Sequence, residues 1–283
     1  MNVVDTANPK TRRRVASVIL TLAVATGAVA FAFPLYWLVI ASSHTNAEIF
    51  STDPPLAFGT SFFANLSNLF ADSEFAAAIR NSVVVSLSYT LAGAFVCVSA
   101  GYAFAKFRFR GQNLALVIVI AAMAVPGNLL LVPLFKMIVS FGWINTIPAL
   151  VFPNLAMPFG IYLMRQTMLS VPDELLQAAR IDGAGEIRIL SRIVLPIMRP
   201  AVAALAIYLF LGAWNDFLWP LVVLRSESSY TLPVAIATIY GANVTDYGQV
   251  LMGTLISVIP VAILFFGLQK QFVAGMTAGA VKA

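Results

Sequence analysis

The chain of 283 residues carries 17 lysines and arginines against 12 aspartates and glutamates, a formal net charge of +5, and is 60% hydrophobic but only 10% charged. A soluble globular protein carries roughly 25% charged residues, so this composition excludes an ordinary soluble fold and points to hydrocarbon as the solvent. The single cysteine, Cys97, lies in an apolar run without a partner for a disulfide or metal site, and the single histidine, His44, closes off catalytic schemes that need two.

A bilayer core is about 30 Å thick and asks for about 20 apolar residues per spanning helix. The first candidate runs uncharged from Val15 to Ile40, behind Arg12, Arg13 and Arg14. A basic cluster before an apolar run also describes a secretory signal peptide, whose apolar region is only about 7–15 residues long. This run is longer and reads as an uncleaved first span. A polar stretch from Ser42 to Phe75 follows, with Glu48, Asp53, Asp72 and Glu74 but no lysine or arginine. The second span is predicted between Arg80 and Lys106. A short basic connection, Lys106-Phe107-Arg108-Phe109-Arg110, leads to the third, Leu114 to Lys136. A turn at Gly142 to Thr146 precedes the fourth, Pro148 to Met164, and the charged segment Arg165 to Arg199 separates it from the fifth, Ala201 to Leu224. The sixth is Leu251 to Gln269. Pro126, Pro153, Pro158 and Pro260 fall within predicted spans, where a missing N–H frees a carbonyl and bends a helix.

Orientation follows from the basic residues. With six spans and the N-terminus inside, the inner segments hold Lys10, Arg12, Arg13, Arg14, Lys106, Arg108, Arg110, Arg165, Arg180, Arg188, Arg192, Arg199, Lys270 and Lys282. Only Arg80, Lys136 and Arg225 fall on the other side. Fourteen of the 17 basic residues on one side predict that both termini are cytoplasmic. A five- or seven-span arrangement would misplace a basic cluster.

The segment Ser170 to Pro200, SVPDELLQAARIDGAGEIRILSRIVLPIMRP, is the most informative. Pro172 suits a first helical position, Asp173 and Glu174 suit the first turn, and Arg180 suits the last. Gly183 suits the left-handed residue that stops a helix. A helix of about 10 residues, a sharp turn and a second helix ending near Pro196 are predicted. The first is too short to be stable alone, since isolated helices under about 12 residues are marginal, so it must dock. Local physics allows two readings: a rigid element passing force to a soluble partner, or an amphipathic helix lying on the bilayer.

The same segment resembles the signature loop of the permease subunits of ATP-binding-cassette (ABC) importers, Glu-Ala-Ala, three residues, Gly, nine residues, Ile-x-Leu-Pro. The match is Gln177-Ala178-Ala179, then Gly183, then Ile193-Val194-Leu195-Pro196, with every spacing kept. Ile181-Asp182-Gly183-Ala184 is similar to the wording of the carbohydrate-uptake, maltose-type branch. Trp214-Asn215-Asp216-Phe217-Leu218-Trp219-Pro220 resembles a block of their fifth span, and the tail from Gln269 to Lys282 resembles their C-terminus. The family's leading glutamate is Gln177 here, which removes a negative charge.

The resemblance implies an all-α polytopic membrane protein with six transmembrane helices and the type I ABC importer permease fold. Its expected divisions are a cytoplasmic tail (1–14), a first transmembrane helix (15–41) and an extracytoplasmic loop (42–75). A five-helix core follows (76–272, with a coupling loop at 165–199), then a cytoplasmic tail (273–283). It further implies a coupling helix, Pro172 to Asp182, seated on a separate ATPase. Coupling residues would be Glu174, Gln177, Ala178, Ala179, Asp182, Gly183, Ile193, Leu195 and Pro196, and the tail residues Gly275, Thr277, Ala278 and Gly279 would approach the ATPase. A frayed terminus fits that glycine-rich tail equally.

The implied function is half of a heterodimeric pore in a binding-protein-dependent sugar importer of the bacterial plasma membrane. Expected partners are a second permease, an ATPase dimer, an extracytoplasmic sugar-binding protein and membrane lipid, and no nucleic acid. The chain has no G-x-x-x-x-G-K-[ST] loop. It is therefore expected to be no enzyme and to hold no cofactor, with ATP and Mg bound on the ATPase. Asp216 is the one acidic residue predicted inside a span; with Asn215 it either clamps helices or lines the sugar path. Trp214 and Trp219 either stack on sugar or, the favoured reading, anchor at the outer interface. The rival readings are an importer permease for another solute, a membrane-embedded enzyme, and an ion channel or secondary transporter.

Overall fold

The computed structural model describes residues 9–71, 73–241 and 245–280, the side chains of 9–16, 73, 268 and 270–280 excepted. In chain order the helices are α1 (Pro9–Ala41), α2 (Asn46–Ile49), α3 (Phe62–Ala71), α4 (Ser73–Lys106), α5 (Gln112–Met123), α6 (Leu131–Ser140), α7 (Ile147–Val151) and α8 (Pro158–Met168). Then come α9 (Asp173–Ile181), α10 (Glu186–Ile189), α11 (Leu195–Ile197), α12 (Arg199–Trp214), α13 (Leu218–Val223), α14 (Leu232–Tyr240) and α15 (Tyr247–Ala280). No strand occurs among the described residues. Among the described residues three stretches are long and apolar enough to cross a bilayer unbroken: Ser17–Ala41, Glu74–Lys106 and Tyr247–Gly267. Three bent helix pairs bring the spans to six when each pair counts as one.

The bends have local causes. At Pro126-Gly127-Asn128 the chain leaves α5, makes a tight turn over Gly127–Leu130, and α6 departs at 98°. The expected third span, Leu114 to Lys136, is therefore broken, because the proline's missing N–H meets two turn-forming residues. Pro153 and Pro158 bracket a milder bend of 48° between α7 and α8. Pro260, embedded in an aliphatic run, is accommodated within the continuous α15. The expected fifth span is also interrupted: α12 stops at Trp214, and Asn215, Asp216 and Phe217 form a non-helical link to α13. Asp216 thus sits at a helix break, not inside a helix.

The chain divides into two compact units. One comprises Met1–Ala71 and Ile239–Ile256. Within it Asn65 Nδ2 donates to the carbonyls of Ser42 (2.9 Å) and His44 (3.0 Å), and Asn46 ties to the backbone of Thr245 and Tyr247. His44 bonds Glu48 and the Ala57 carbonyl, and Tyr36 bonds the Leu56 carbonyl. Along α1 the large apolar side chains Val24, Val29 and Phe31 are exposed, as a lipid-facing span requires.

The other unit comprises Asp72–Thr238 and Ser257–Ala283, and α4 is its spine, packed against α8 and α12. The crossing is close because of glycine. A Cβ on Gly101 would lie 2.5 Å from Met164 Cβ and 2.9 Å from the Arg165 nitrogen, and one on Gly160 would lie 2.7 Å from Cys97 Sγ. Small residues let helix backbones approach where lipid tails supply no hydrophobic drive. Cys97, Met164, Met168, Leu205 and Leu209 fill the core around that crossing. A second cluster joins Val85, Ile138, Leu150, Trp219 and Val223.

Candidate functional site

The signature segment is built on that core. Its first helix, α9, begins at Asp173, with Asp173 and Glu174 in the first turn and Arg180 in the last. Pro172 is the cap residue, in an extended conformation (φ −59°, ψ 134°), instead of occupying the first turn, and it follows a turn in which the Val171 N–H donates to the Met168 carbonyl. At the other end Gly183 has φ +80°. The Gly183 N–H donates to the Arg180 carbonyl (3.0 Å) and the Ala184 N–H to that of Ala179 (2.9 Å), the paired bonds of a left-handed helix stop. Glycine is there for conformation alone, since no atom lies within 4 Å of where its Cβ would be.

Nine residues of helix do not stand alone in water. Leu176 and Ala179 turn inward beside Val171, Ile189 and Val194. Burying one leucine contributes about 1.5–3 kcal/mol, so the inner face holds α9 in place. The outer face is free. Glu174, Gln177, Ala178, Asp182 and Gly183 are exposed, Ile193 and Leu195 are half-buried, and Pro196 is exposed. Of the residues singled out from sequence, Ala179 alone in this group is buried. Ile181, read in the sequence only as part of the Ile181–Ala184 wording, and Ile187 are 86% and 85% exposed. Ile187 lines a shallow concavity together with Gly183, Gly185, Glu186, Arg188, Ser191 and Arg192.

Past the turn, α10 passes into a wider π turn at Leu190–Val194, in which the Leu195 N–H reaches back to the Leu190 carbonyl. Pro196 follows directly and has no N–H with which to resume regular bonding. The chain then bends by 87° at Met198 into α12. The Ile193–Pro196 part of the motif is thus the corner that turns the segment into the next span.

Two polar clasps that the sequence did not reveal fasten this segment to the end of α4. Lys106 Nζ donates to the Val171 carbonyl and to Asp173 Oδ1, both at 2.6 Å, and its side chain is 3% exposed. In the sequence Lys106 could meet a partner or anionic lipid, and the inside-positive bias by itself accounts for it. Glu186 accepts from Tyr102 Oη (2.8 Å) and Arg180 Nε (2.7 Å). The Lys106 ammonium holds the Asp173 carboxyl below its ordinary range, and the Arg180 guanidinium does the same for Glu186. An exposed pair such as Arg180–Glu186 contributes under about 1 kcal/mol, so it fixes position more than stability. Because both carboxyl pKa values are depressed on folding, the pairs are intact above the usual carboxylate range and are lost as pH falls through the folded values. Lys106→Met and Glu186→Gln are each expected to flatten the acid limb of an unfolding-versus-pH profile; an unchanged limb would contradict the clasps.

The other candidates fare differently. Trp214 (2% exposed) stacks on Phe210 and donates from Nε1 to the Ser257 carbonyl. Trp219 (7%) donates to the Ala149 carbonyl. Both indoles bind helices to one another inside the unit, which corrects the expectation of outer-interface anchors. Asn215 is exposed and bonds its own helix at the Leu211 carbonyl. Asp216 is half-buried and accepts from the Trp219 N–H at 3.4 Å, holding the α12–α13 break. Gly275, Thr277, Ala278 and Gly279 continue the helical backbone of α15, and their side chains lie outside the described residues, as do residues 281–283 with Lys282. No cluster of three or more histidine, cysteine or acidic side chains fit for a metal occurs among the described residues.

The chain belongs to the family of binding-protein-dependent transport system inner membrane components, which it matches over residues 93–278. It is 35% identical over 267 residues to the arabinooligosaccharides transport system permease protein AraQ of Halalkalibacterium halodurans, covering 93% of this chain and 96% of that one. It is 33% identical over 271 residues to the lactose transport system permease protein LacG of Rhizobium radiobacter, covering 96% and 98%. The trehalose/maltose transport system permease protein MalG of Thermococcus litoralis is 32% identical over 260 residues, covering 88% and 91%. In fold the chain matches a subunit of a bacterial ABC transporter involved in import of the acidic polysaccharide alginate, with a TM-score of 0.82 at 22% identity over 95% of this chain and 100% of that one.

Proposed function

We propose that this permease is one half of the membrane pore of an ATP-driven sugar importer, and that the outer face of α9 docks on a separate ATPase. The observation that carries the coupling part is the division of α9 into a buried face at Leu176 and Ala179 and an open face at Glu174, Gln177, Ala178 and Asp182. The names of the near-full-length relatives, transporters of arabinooligosaccharides, lactose and trehalose or maltose, support a sugar as the solute. The partners are a second permease, an ATPase dimer that holds ATP and Mg, and an extracytoplasmic sugar-binding protein. The basic residues favour cytoplasmic termini in a bacterial plasma membrane. ATP binding draws the docked segments together and shifts the bundle between two packings, inward- and outward-facing, and hydrolysis resets it.

The test is uptake into proteoliposomes by the reconstituted complex, with labelled arabino-oligosaccharide, lactose, maltose and trehalose offered in turn. ATP-dependent accumulation of one of these is expected. Accumulation without ATP, or of none of them while a peptide or metal ion is taken up, would sink the sugar-importer reading.

A further inference from the structure

The helix α4 has a polar clasp at each end. At one end Tyr102 and Lys106 hold the signature segment through Glu186, Val171 and Asp173. At the other, Asn81 Nδ2 donates to the carbonyls of Ser228 (2.9 Å) and Tyr230 (3.1 Å), and Ser82 Oγ accepts from the Leu232 N–H (2.6 Å). Asn81 and Ser82 are buried, at 9% and 2% exposure. From Ser82 to Tyr102 a helix advances about 30 Å at 1.5 Å per residue, the thickness of the hydrocarbon core. The two clasps are therefore separated by about the thickness of the hydrocarbon core.

The spans joined to the signature segment through the chain are poor conductors of movement. One is bent by 48° between α7 and α8, and the other turns 87° at Met198 and breaks again at Asn215. Bends at loop-like residues absorb displacement. The helix α4 is unbroken from Ser73 to Lys106, and Gly101 seats it directly on the backbone of α8. The segment it grips at the far end is itself braced. Asn145, left-handed at φ +62°, accepts from the Arg225 N–H (2.9 Å) and donates to Ser226 Oγ (2.9 Å).

We infer that α4 is the strut that carries movement of the signature segment across the membrane to residues 226–232, with Tyr102 and Glu186 as positioning residues at one end and Asn81 and Ser82 at the other. This rests on the proposed docking of α9 on an ATPase.

The test uses the reconstituted complex with a fluorophore on Ser228→Cys; Cys97 is fully buried and does not compete for the label. In otherwise wild-type complex, ATP is expected to shift the label's emission. In Tyr102→Phe/Glu186→Gln/Lys106→Met, which removes every polar bond at that end of α4, the ATPase should still co-purify and hydrolyse ATP, while the label shift falls by a larger factor than hydrolysis does. Glu186→Asp alone, which keeps the acceptor, should retain part of it. Asn81→Ala/Ser82→Ala should abolish the shift from the opposite end. A full shift in both of these multiple variants, or loss of shift and hydrolysis in the same proportion, would overturn the strut. A wild-type complex without bound ATPase would instead remove the docking reading, and the strut with it.

Discussion

Replacing Gly101 with valine is expected to cause a large loss of stability. A Cβ there would meet Met164 Cβ at 2.5 Å and the Arg165 backbone nitrogen at 2.9 Å. Met164 is fully buried and a backbone nitrogen cannot swing aside, so α4 and α8 must part. Overpacking a filled core costs about 1–3 kcal/mol where side chains can adjust, and here the obstacle includes backbone. Gly93 is the internal control. Its Cβ would press only slightly on Leu209 Cδ1, at 3.3 Å, and would meet Leu209 Cδ2 (3.6 Å) and the Leu155 carbonyl (3.8 Å) at ordinary contact distance. Gly93→Ala is expected to lower the midpoint of thermal unfolding in detergent by a few degrees at most, and Gly101→Val to remove most folded protein. Equal effects would mean that α4 and α8 do not cross so closely.

The largest effect on coupling is expected from Gly183→Pro. Proline fixes φ near −65° and has no N–H, whereas this position needs φ +80° and donates to the Arg180 carbonyl. The helix stop is lost and the face bearing Gln177, Ala178 and Ile181 is misdirected, although the spans themselves are untouched. Left-handed backbone costs a non-glycine residue about 1–2 kcal/mol. A graded series is therefore expected in ATP-driven uptake: glycine best, then asparagine, then alanine, with proline inactive. A proline variant with full uptake would show that this turn does not position the docking face.

These two glycines also mark how far the sequence could be read. Gly183 was legible because a helix stop is local: acidic residues, an apolar pair, Arg180 and glycine fall in order within eleven positions from Asp173. Gly101 was not, because its role depends on Met164, which reaches it only through the fold. The same holds for Glu186, whose partner Tyr102 lies 84 residues away. Prolines divided the same way. Pro126 broke its span because Gly127 and Asn128 favour a turn, while Pro260, between Ile259 and Val261, left its helix continuous. Trp214 and Trp219 were misplaced at the interface because composition cannot tell an indole N–H that meets headgroups from one that meets a buried carbonyl. Ile181 and Ile187 could not be told from core residues in the sequence, because which apolar side chains of so short a segment stay uncovered depends on what packs against it.

The central claim, that the 170–196 segment joins this permease to a separate ATPase, is tested most directly by co-purification. The tagged chain would be drawn from its native membrane in mild detergent, and whatever accompanies it identified, with Gly183→Pro in parallel. An ATPase and a second six-span permease are expected with the wild-type chain, and loss of the ATPase from the variant. A folded wild-type chain that emerges alone, or a variant that retains its ATPase, would contradict it.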